Sequence, residues 1–274
     1  RSHFYAQPLL ERGSAGAVGG WVARYVQARG SGGLTALAFA DALPESLRGA
    51  AAATALRSLD DLDPGPRVAA LGGRLAALYA DDPLLGGPAA DTRAAMDKLR
   101  QLRHSTYRPE HGARYGDDAF ARDLAQTAHL IKAGVGIPAV CLDLDGWDSH
   151  VAQEQFLGPS LRALGNGLAA FANDLGPALA RTSIVVYSEF GRRVAENSAL
   201  GTDHGHGFAL LVLGGGTPGG LHVDWAGLAD HDLLGPGDLP GNIDYRAALA
   251  AVVARHGVAP VAVFPDFNGT PLAL

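Results

Sequence analysis

Four short segments concentrate the residues capable of metal, acid–base or nucleophilic chemistry. The first, Asp143-Leu144-Asp145-Gly146-Trp147-Asp148-Ser149-His150, places three carboxylates and a histidine within eight residues. Carboxylate oxygens and imidazole nitrogens bind divalent cations, and ligands one to four residues apart can converge on one ion. The plainer use of the same residues is helix capping by Asp148 or Ser149, with His150 in the first turn. The second, Ser188-Glu189-Phe190-Gly191-Arg192-Arg193, sets a carboxylate beside two guanidiniums. That pairing suits a metal with an anionic substrate, because the arginine fork matches phosphate or sulfate; it also describes an exposed ion pair. The third, Gly201-Thr202-Asp203-His204-Gly205-His206-Gly207, interleaves ligand-type residues with glycines that let backbone approach an ion, or is a His/Gly-rich turn. The fourth, Ser2-His3, precedes a predicted helix, whose free N–H groups would hold an anion facing the hydroxyl, unless the terminus is frayed.

The elements that must position these residues follow from hydrophobic periodicity. After residue 134 the pattern predicts strands at Ile137–Leu144, Thr182–Ser188, Phe208–Leu213 and Val261–Phe264. It predicts helices at Val151–Leu175, with a Leu157/Leu161/Leu164/Leu168/Phe171/Leu175 stripe, and at Asp244–His256. That alternation predicts an α/β fold, a mainly parallel sheet flanked by helices, in which ligands bind beyond the carboxyl ends of the strands. Residues 15–134 read as helical. Val18, Val22 and Val26 share a face, Val68, Leu71, Leu75 and Leu78 keep helical spacing, and Asp117-Asp118 caps a helix with Phe120, Leu124 and Ile131 that Gly134 ends. Residues 1–274 thus read as one domain, with a helical portion 15–134 and a sheet-and-site portion 135–274.

Composition narrows the function classes. The 274 residues are 47% hydrophobic and 18% charged, which excludes a disordered chain. A net charge of −6 supplies no basic footprint for nucleic acid or anionic lipid. No run approaches the roughly 20 apolar residues of a membrane span. The single cysteine, Cys141, sits in an apolar run and reads as a small buried hydrophobe. Gly214 to Gly220 lacks phosphate-loop spacing and reads as a turn, and His129 lies among apolar helix positions as a core residue. The N-terminus has neither a starting methionine nor a signal-peptide pattern, which predicts processing or a piece of a longer chain.

Taken together, several motifs resemble domain-of-unknown-function family 1501. They are Arg1-Ser2-His3-Phe4 with Ala6-Gln7 and Glu11-Arg12-Gly13, Gly146-Trp147-Asp148-Ser149-His150 with Gln153, Ser188-Glu189-Phe190-Gly191-Arg192-Arg193 with Glu196-Asn197, Gly201-Thr202-Asp203-His204-Gly205, and Asp244-Tyr245-Arg246. The resemblance implies exported bacterial proteins of the alkaline phosphatase and sulfatase superfamily: a sheet whose strand ends hold two metal ions, usually zinc, and a nucleophile at a helix N-terminus. Carried over by position, Ser2 looks like the nucleophile and Arg192 like an extra clamp on the substrate. Asp148 with His150 looks like the Asp-and-His pair of one metal site, with Asp145 able to replace Asp148. Glu189 stands where the superfamily has an Asp-His pair, His204 resembles the later lone histidine, and Asp203 and His206 complete the candidate metal ligands, His206 replacing the imidazole missing after Glu189. The resemblance further implies an additional strand ahead of this sequence, bearing one more ligand. The expected activity is metal-dependent hydrolysis of a small or polymer-borne phosphate or sulfate ester outside the cytoplasm. Two alternatives are a non-catalytic scaffold and a metal-free serine hydrolase pairing Ser2 with His204 or His3.

Overall fold

A computed structural model describes residues 2–30, 34–62, 73–74, 77–82, 86–103 and 106–274. The central strand β1 (Ala36–Phe39) is entirely buried and pairs in parallel with β2 (Ala53–Leu56) on one side and β3 (Val140–Leu142) on the other. A second, antiparallel pair joins β4 (Ser183–Val186) to β5 (Leu211–Gly214). The fold is therefore α/β, but only the three-stranded sheet is parallel.

Strand alternation assigns each side chain of β1 to one of two cores. Ala36 and Ala38 pack with Trp21, Val22, Tyr25 and Val26 of α2 (Trp21–Arg29), which follows α1 (His3–Arg12), with Leu249, Ala250 and Val253 of a C-terminal helix (Tyr245–Arg255), and with Phe264. Leu37 and Phe39 face the opposite core, with Leu99 of α3 (Gly86–Arg103) and Leu130 of α4 (Ala119–Lys132). A third core joins Phe120, Leu124 and Ala128 of α4 to Phe171 and Leu175 of α5 (Gln153–Leu175), and Leu142 and Ile184 pack against it. Cys141 and Val185 meet the first core while Leu142 and Ile184 meet the third, so β3 and β4 occupy the same layer. No hydrogen-bonded pairing joins them among the described residues.

Several expectations are met and several are corrected. Asp118 caps α4 by accepting from the Ala121 N–H at 2.9 Å, and Gly134 ends it at φ +63°. Cys141 is half-buried against the first core, and desolvation raises its thiol pKa to about 12, although the Ser46 hydroxyl contact opposes the shift. The portion 15–134 is not wholly helical, because it contains β1 and β2. Their sequences, Ala-Leu-Ala-Phe and Ala-Thr-Ala-Leu, are short and alanine-rich, and a short apolar run carries no period that separates strand from helix. Val18 precedes α2 and is 93% exposed, whereas Val22 and Val26 are buried. The Val68, Leu71 and Leu75 positions lie outside the described residues. Val261 to Phe264 is not a strand, since Pro260–Val263 forms the short helix α7 after α6 (Tyr245–Arg255). The Ile137, Thr182 and Phe208 runs shrink to β3, β4 and β5.

The N-terminal helix α1 (His3–Arg12) is docked by polar contacts. Buried Glu11 accepts from the Ser46 N–H at 2.7 Å, Arg12 pairs with Glu45 at 2.8 Å, and the Tyr245 hydroxyl donates to the Leu10 carbonyl. Gly13 ends α1 with φ +66°, and a Cβ there would come within 2.8 Å of the Phe264 ring. This docking carries the first turn of α1 to the ends of β3 and β4.

Candidate metal centre

The loop after β3 is tied to the long connection between β4 and β5 by the second half of that connection, residues 197–207. Asn197 is its hub: its amide donates to the His150 carbonyl at 2.9 Å, and its side-chain oxygen accepts from the Ala199 and Gly201 N–H groups. Arg192 and His204 form an antiparallel bridge, flanked by bonds from Arg193 N to the Asp203 carbonyl and from Gly205 N to the Gly191 carbonyl. The glycines permit this closeness. A Cβ on Gly205 would lie 2.5 Å from the Arg192 backbone, and one on Gly201 would lie 2.2 Å from that of His150. The glycines of this segment therefore serve backbone-to-backbone contact rather than contact with an ion.

The result is a convergence on Asp148. Asp148 Oδ1 lies 2.9 Å from His204 Nε2 and 3.1 Å from His150 Nε2, and Asp148 Oδ2 lies 3.3 Å from His3 Nε2. The two imidazole nitrogens of His150 and His204 face each other at 2.9 Å. One ligand atom from each of His3, Asp148 and His204 fits within 4.8 Å, a spacing at which the three could hold a metal ion. Behind the imidazoles stand two further carboxylates. Glu189 holds His3 through Nδ1, and Asp203 holds His150 Nδ1 at 3.1 Å. A carboxylate behind Nδ1, with Nε2 facing outward, is the arrangement found behind metal-binding histidines. Among the described residues His3 Nε2 is buried and makes no hydrogen bond, Asp148 Oδ2 being its neighbour. Phe190 forms the apolar wall, its ring 4.8 Å from that of His3 and 4.4 Å from that of His204.

Electrostatics keep the central carboxylate ionised. Burial pushes the Asp148 carboxyl upward, but hydrogen bonds from His204 and Arg192, with the charges of Arg192 and His150, outweigh it and hold the group well below the ordinary carboxylate range. Bonds from His150 and Asn197 lower the Asp203 carboxyl in the same way. Arg192 donates to Asp148 at 2.5 Å and to the Trp147 and Thr202 carbonyls.

The structure thus gathers Asp148, His150, Glu189, Arg192, Asp203 and His204 from three segments. It does not use Asp148 or Ser149 as a helix cap, because α5 begins after Ala152. Glu189 and Asp203 contact imidazoles rather than the shared centre. His206 is exposed and turned to the Gly241 backbone, outside the cluster. Asp145 is outside it as well. The additional imidazole comes instead from His3, considered in the sequence only as a partner for Ser2; its place beside Ser2 at a helix start was the available signal. Ser2 is exposed at the N-cap of α1, without a side-chain cap bond, and lines a cleft with Glu189 and Phe190. His3 Nδ1 and Nε2 face Glu189 and Asp148, and His204 Nε2 faces Asp148 and His150. A hollow of about 300 Å³ opens beside Asp148, His150 and Phe156.

Residues 89–260 match the family model described as "Protein of unknown function (DUF1501)". That stretch includes every residue of the centre except His3. No curated protein and no solved structure matches the chain. Among the described residues, no helix is long and apolar enough to cross a membrane.

Proposed function

The chain belongs to the DUF1501 family, and from that premise we propose that it is an exported, metal-dependent hydrolase of phosphate or sulfate esters, with the site arrangement of the alkaline phosphatase and sulfatase superfamily. The observation that supports this reading most is the convergence of imidazole Nε2 atoms on Asp148, with the buried His3 Nε2 making no hydrogen bond among the described residues. Imidazoles directed at one another at 2.9 Å repel unless a cation or a shared proton lies between them. A mixed nitrogen and oxygen donor set suits zinc.

His3, Asp148 and His204 would hold the ion, with His150 Nε2 within reach of the same carboxylate oxygen. Glu189 and Asp203 orient the imidazoles of His3 and His150. A bound divalent ion supplies Lewis acidity, drawing charge from the ester oxygen and acidifying a coordinated hydroxyl or water. Ser2 is the nucleophile of the proposal: its oxygen bonds to phosphorus or sulfur as the ester oxygen leaves, and water later releases the group. Arg192, anchored by Asp148 and two carbonyls, contributes positive charge next to the transferred anion.

The test uses purified protein. Bound metal is measured by elemental analysis, and generic phosphate and sulfate esters are assayed with and without chelator and in Ser2→Ala. The proposal expects chelator-sensitive turnover that falls by roughly a thousand-fold or more in Ser2→Ala. Metal-replete protein that turns over neither ester class, or a Ser2→Ala variant of unchanged rate, removes it.

A further inference from the structure

We infer that the cleft of about 1430 Å³ adjoining the centre takes the apolar organic group of the substrate, an aryl group or medium-length alkyl chain carrying a single anionic ester. This names the substrate class for the site proposed above and rests on that reading. Ser2, Glu189 and Phe190 line the cleft. They also tie it to the centre, because Glu189 holds His3 and the Phe190 ring packs on His3 and His204.

Two elements contribute large apolar side chains to the same hollow. From α1 come Tyr5 and Leu9, one turn apart on one helix face. From the segment 221–225 come Leu221, Val223 and Trp225. These residues are largely exposed to water: Leu221 is 86% and Trp225 58% exposed. Apolar side chains concentrated in one concavity, continuous with a polar reactive centre, have the composition of a ligand site.

Charge narrows the occupant. Glu189, Asp224, Asp244 and Asp266 line the cleft, and the Arg246 guanidinium among them is taken up by Asp244 at 2.7 Å and Asp266 at 3.1 Å. A polyanionic chain would meet net repulsion along this path, whereas a neutral apolar group would not. The anionic head belongs at the metal centre and Arg192.

The experiment has a binding arm and a turnover arm, both on zinc-loaded full chain. In the binding arm, straight-chain alcohols from butanol to decanol and 1-naphthol are titrated against tryptophan fluorescence, in wild type, Trp225→Phe and Leu9→Ser. Each methylene buried should tighten binding by about two- to four-fold, and Leu9→Ser should flatten that gradient while Trp225→Phe removes most of the fluorescence response. In the turnover arm, kcat/KM is measured for the matching alkyl phosphates and sulfates and should rise along the same series. Binding that does not depend on chain length, or that Leu9→Ser leaves unchanged, overturns the inference. Sedimentation showing that the apolar surface is covered by a second copy of the chain overturns it as well. Chain-length-dependent binding without turnover of any ester keeps the cleft as an apolar-ligand site and removes the hydrolase reading alone.

Discussion

Two aspartates, Asp174 and Asp148, each gather four or more polar partners, and they illustrate opposite states of completion. Asp174 is 0% exposed, in α5. Its oxygens accept from Lys132, from the Tyr107 and Tyr115 hydroxyls at 2.5 and 2.8 Å, and from the Glu110 N–H at 2.7 Å. Every one of these partners is a donor, and the set fastens the 107–115 loop and α4 to α5. Asp148 has 47% of its side chain exposed, and apart from Arg192 its neighbours are imidazoles, two of them held by further carboxylates. A carboxylate whose partners are all fixed donors is finished by the protein; one ringed by imidazoles, each able to present an N–H or a lone pair, can be completed by a cation. The same residue type therefore serves architecture in one place and, in the proposed function, cation binding in the other.

The largest effect that separates the two belongs to Asp174. Asp174→Ala removes a fully buried acceptor from half-buried Lys132, from two tyrosine hydroxyls and from the Glu110 N–H, leaving Lys132 only Glu110 as an ionic partner among the described residues, and should cost about 3–5 kcal/mol of stability in chemical denaturation, while metal stoichiometry of the folded fraction stays unchanged. His204→Ala should do the reverse, lowering zinc affinity by more than about a hundred-fold with little loss of metal-free stability, as read by competition with a chromogenic chelator. Equal loss of stability in both variants would erase the distinction.

A finer contrast lies between ligand and orienting carboxylate. Glu189→Gln and Asp203→Asn keep their hydrogen-bonding shape but lose charge, and should each weaken zinc binding by about 10- to 100-fold, less than His204→Ala. An effect as large as that of His204→Ala would make them direct ligands.

The smallest effect is a pH dependence. Burial pushes the Asp174 carboxyl up, but bonds from Lys132, Tyr107, the Glu110 N–H and Tyr115 outweigh it, so its folded pKa lies below the ordinary value. A depressed carboxyl stabilises the fold above its unfolded pKa of about 4, and that contribution is lost as pH falls through the folded value. The stability gap between wild type and Asp174→Asn should accordingly be full at neutral pH and narrow below about pH 4. A gap that widens on acidification would contradict the donor assignment.

These contrasts also explain what the amino-acid order reveals. Helices α4, α5 and α6 were legible because long amphipathic or capped segments carry a 3.6-residue period, as with Asp118 and Asp244 at two N-caps. β1 and β2 were not, since four residues rich in alanine become strands through burial between two helical layers rather than through intrinsic preference. At the site, Asp148, His150, Glu189, Asp203 and His204 stood out as dense polar clusters beyond strands. Their division into ligands and supports was invisible, because it depends on which ring nitrogen meets which carboxylate. His3 lay 145 residues from Asp148 in sequence, and only the docking of α1 by Glu11 and Arg12 brings it to the centre. His206, two residues from His204, is directed elsewhere by the same local ladder.

The central claim is that His3, Asp148 and His204 share one cation. Cobalt(II) substitution tests it most directly, since visible d–d absorption reports coordination number and ligand type. The account predicts one cobalt per chain with the intense bands of a four- or five-coordinate nitrogen–oxygen site, abolished in His204→Ala and in His3→Ala. Weak octahedral bands, or a spectrum unchanged by either substitution, would contradict it.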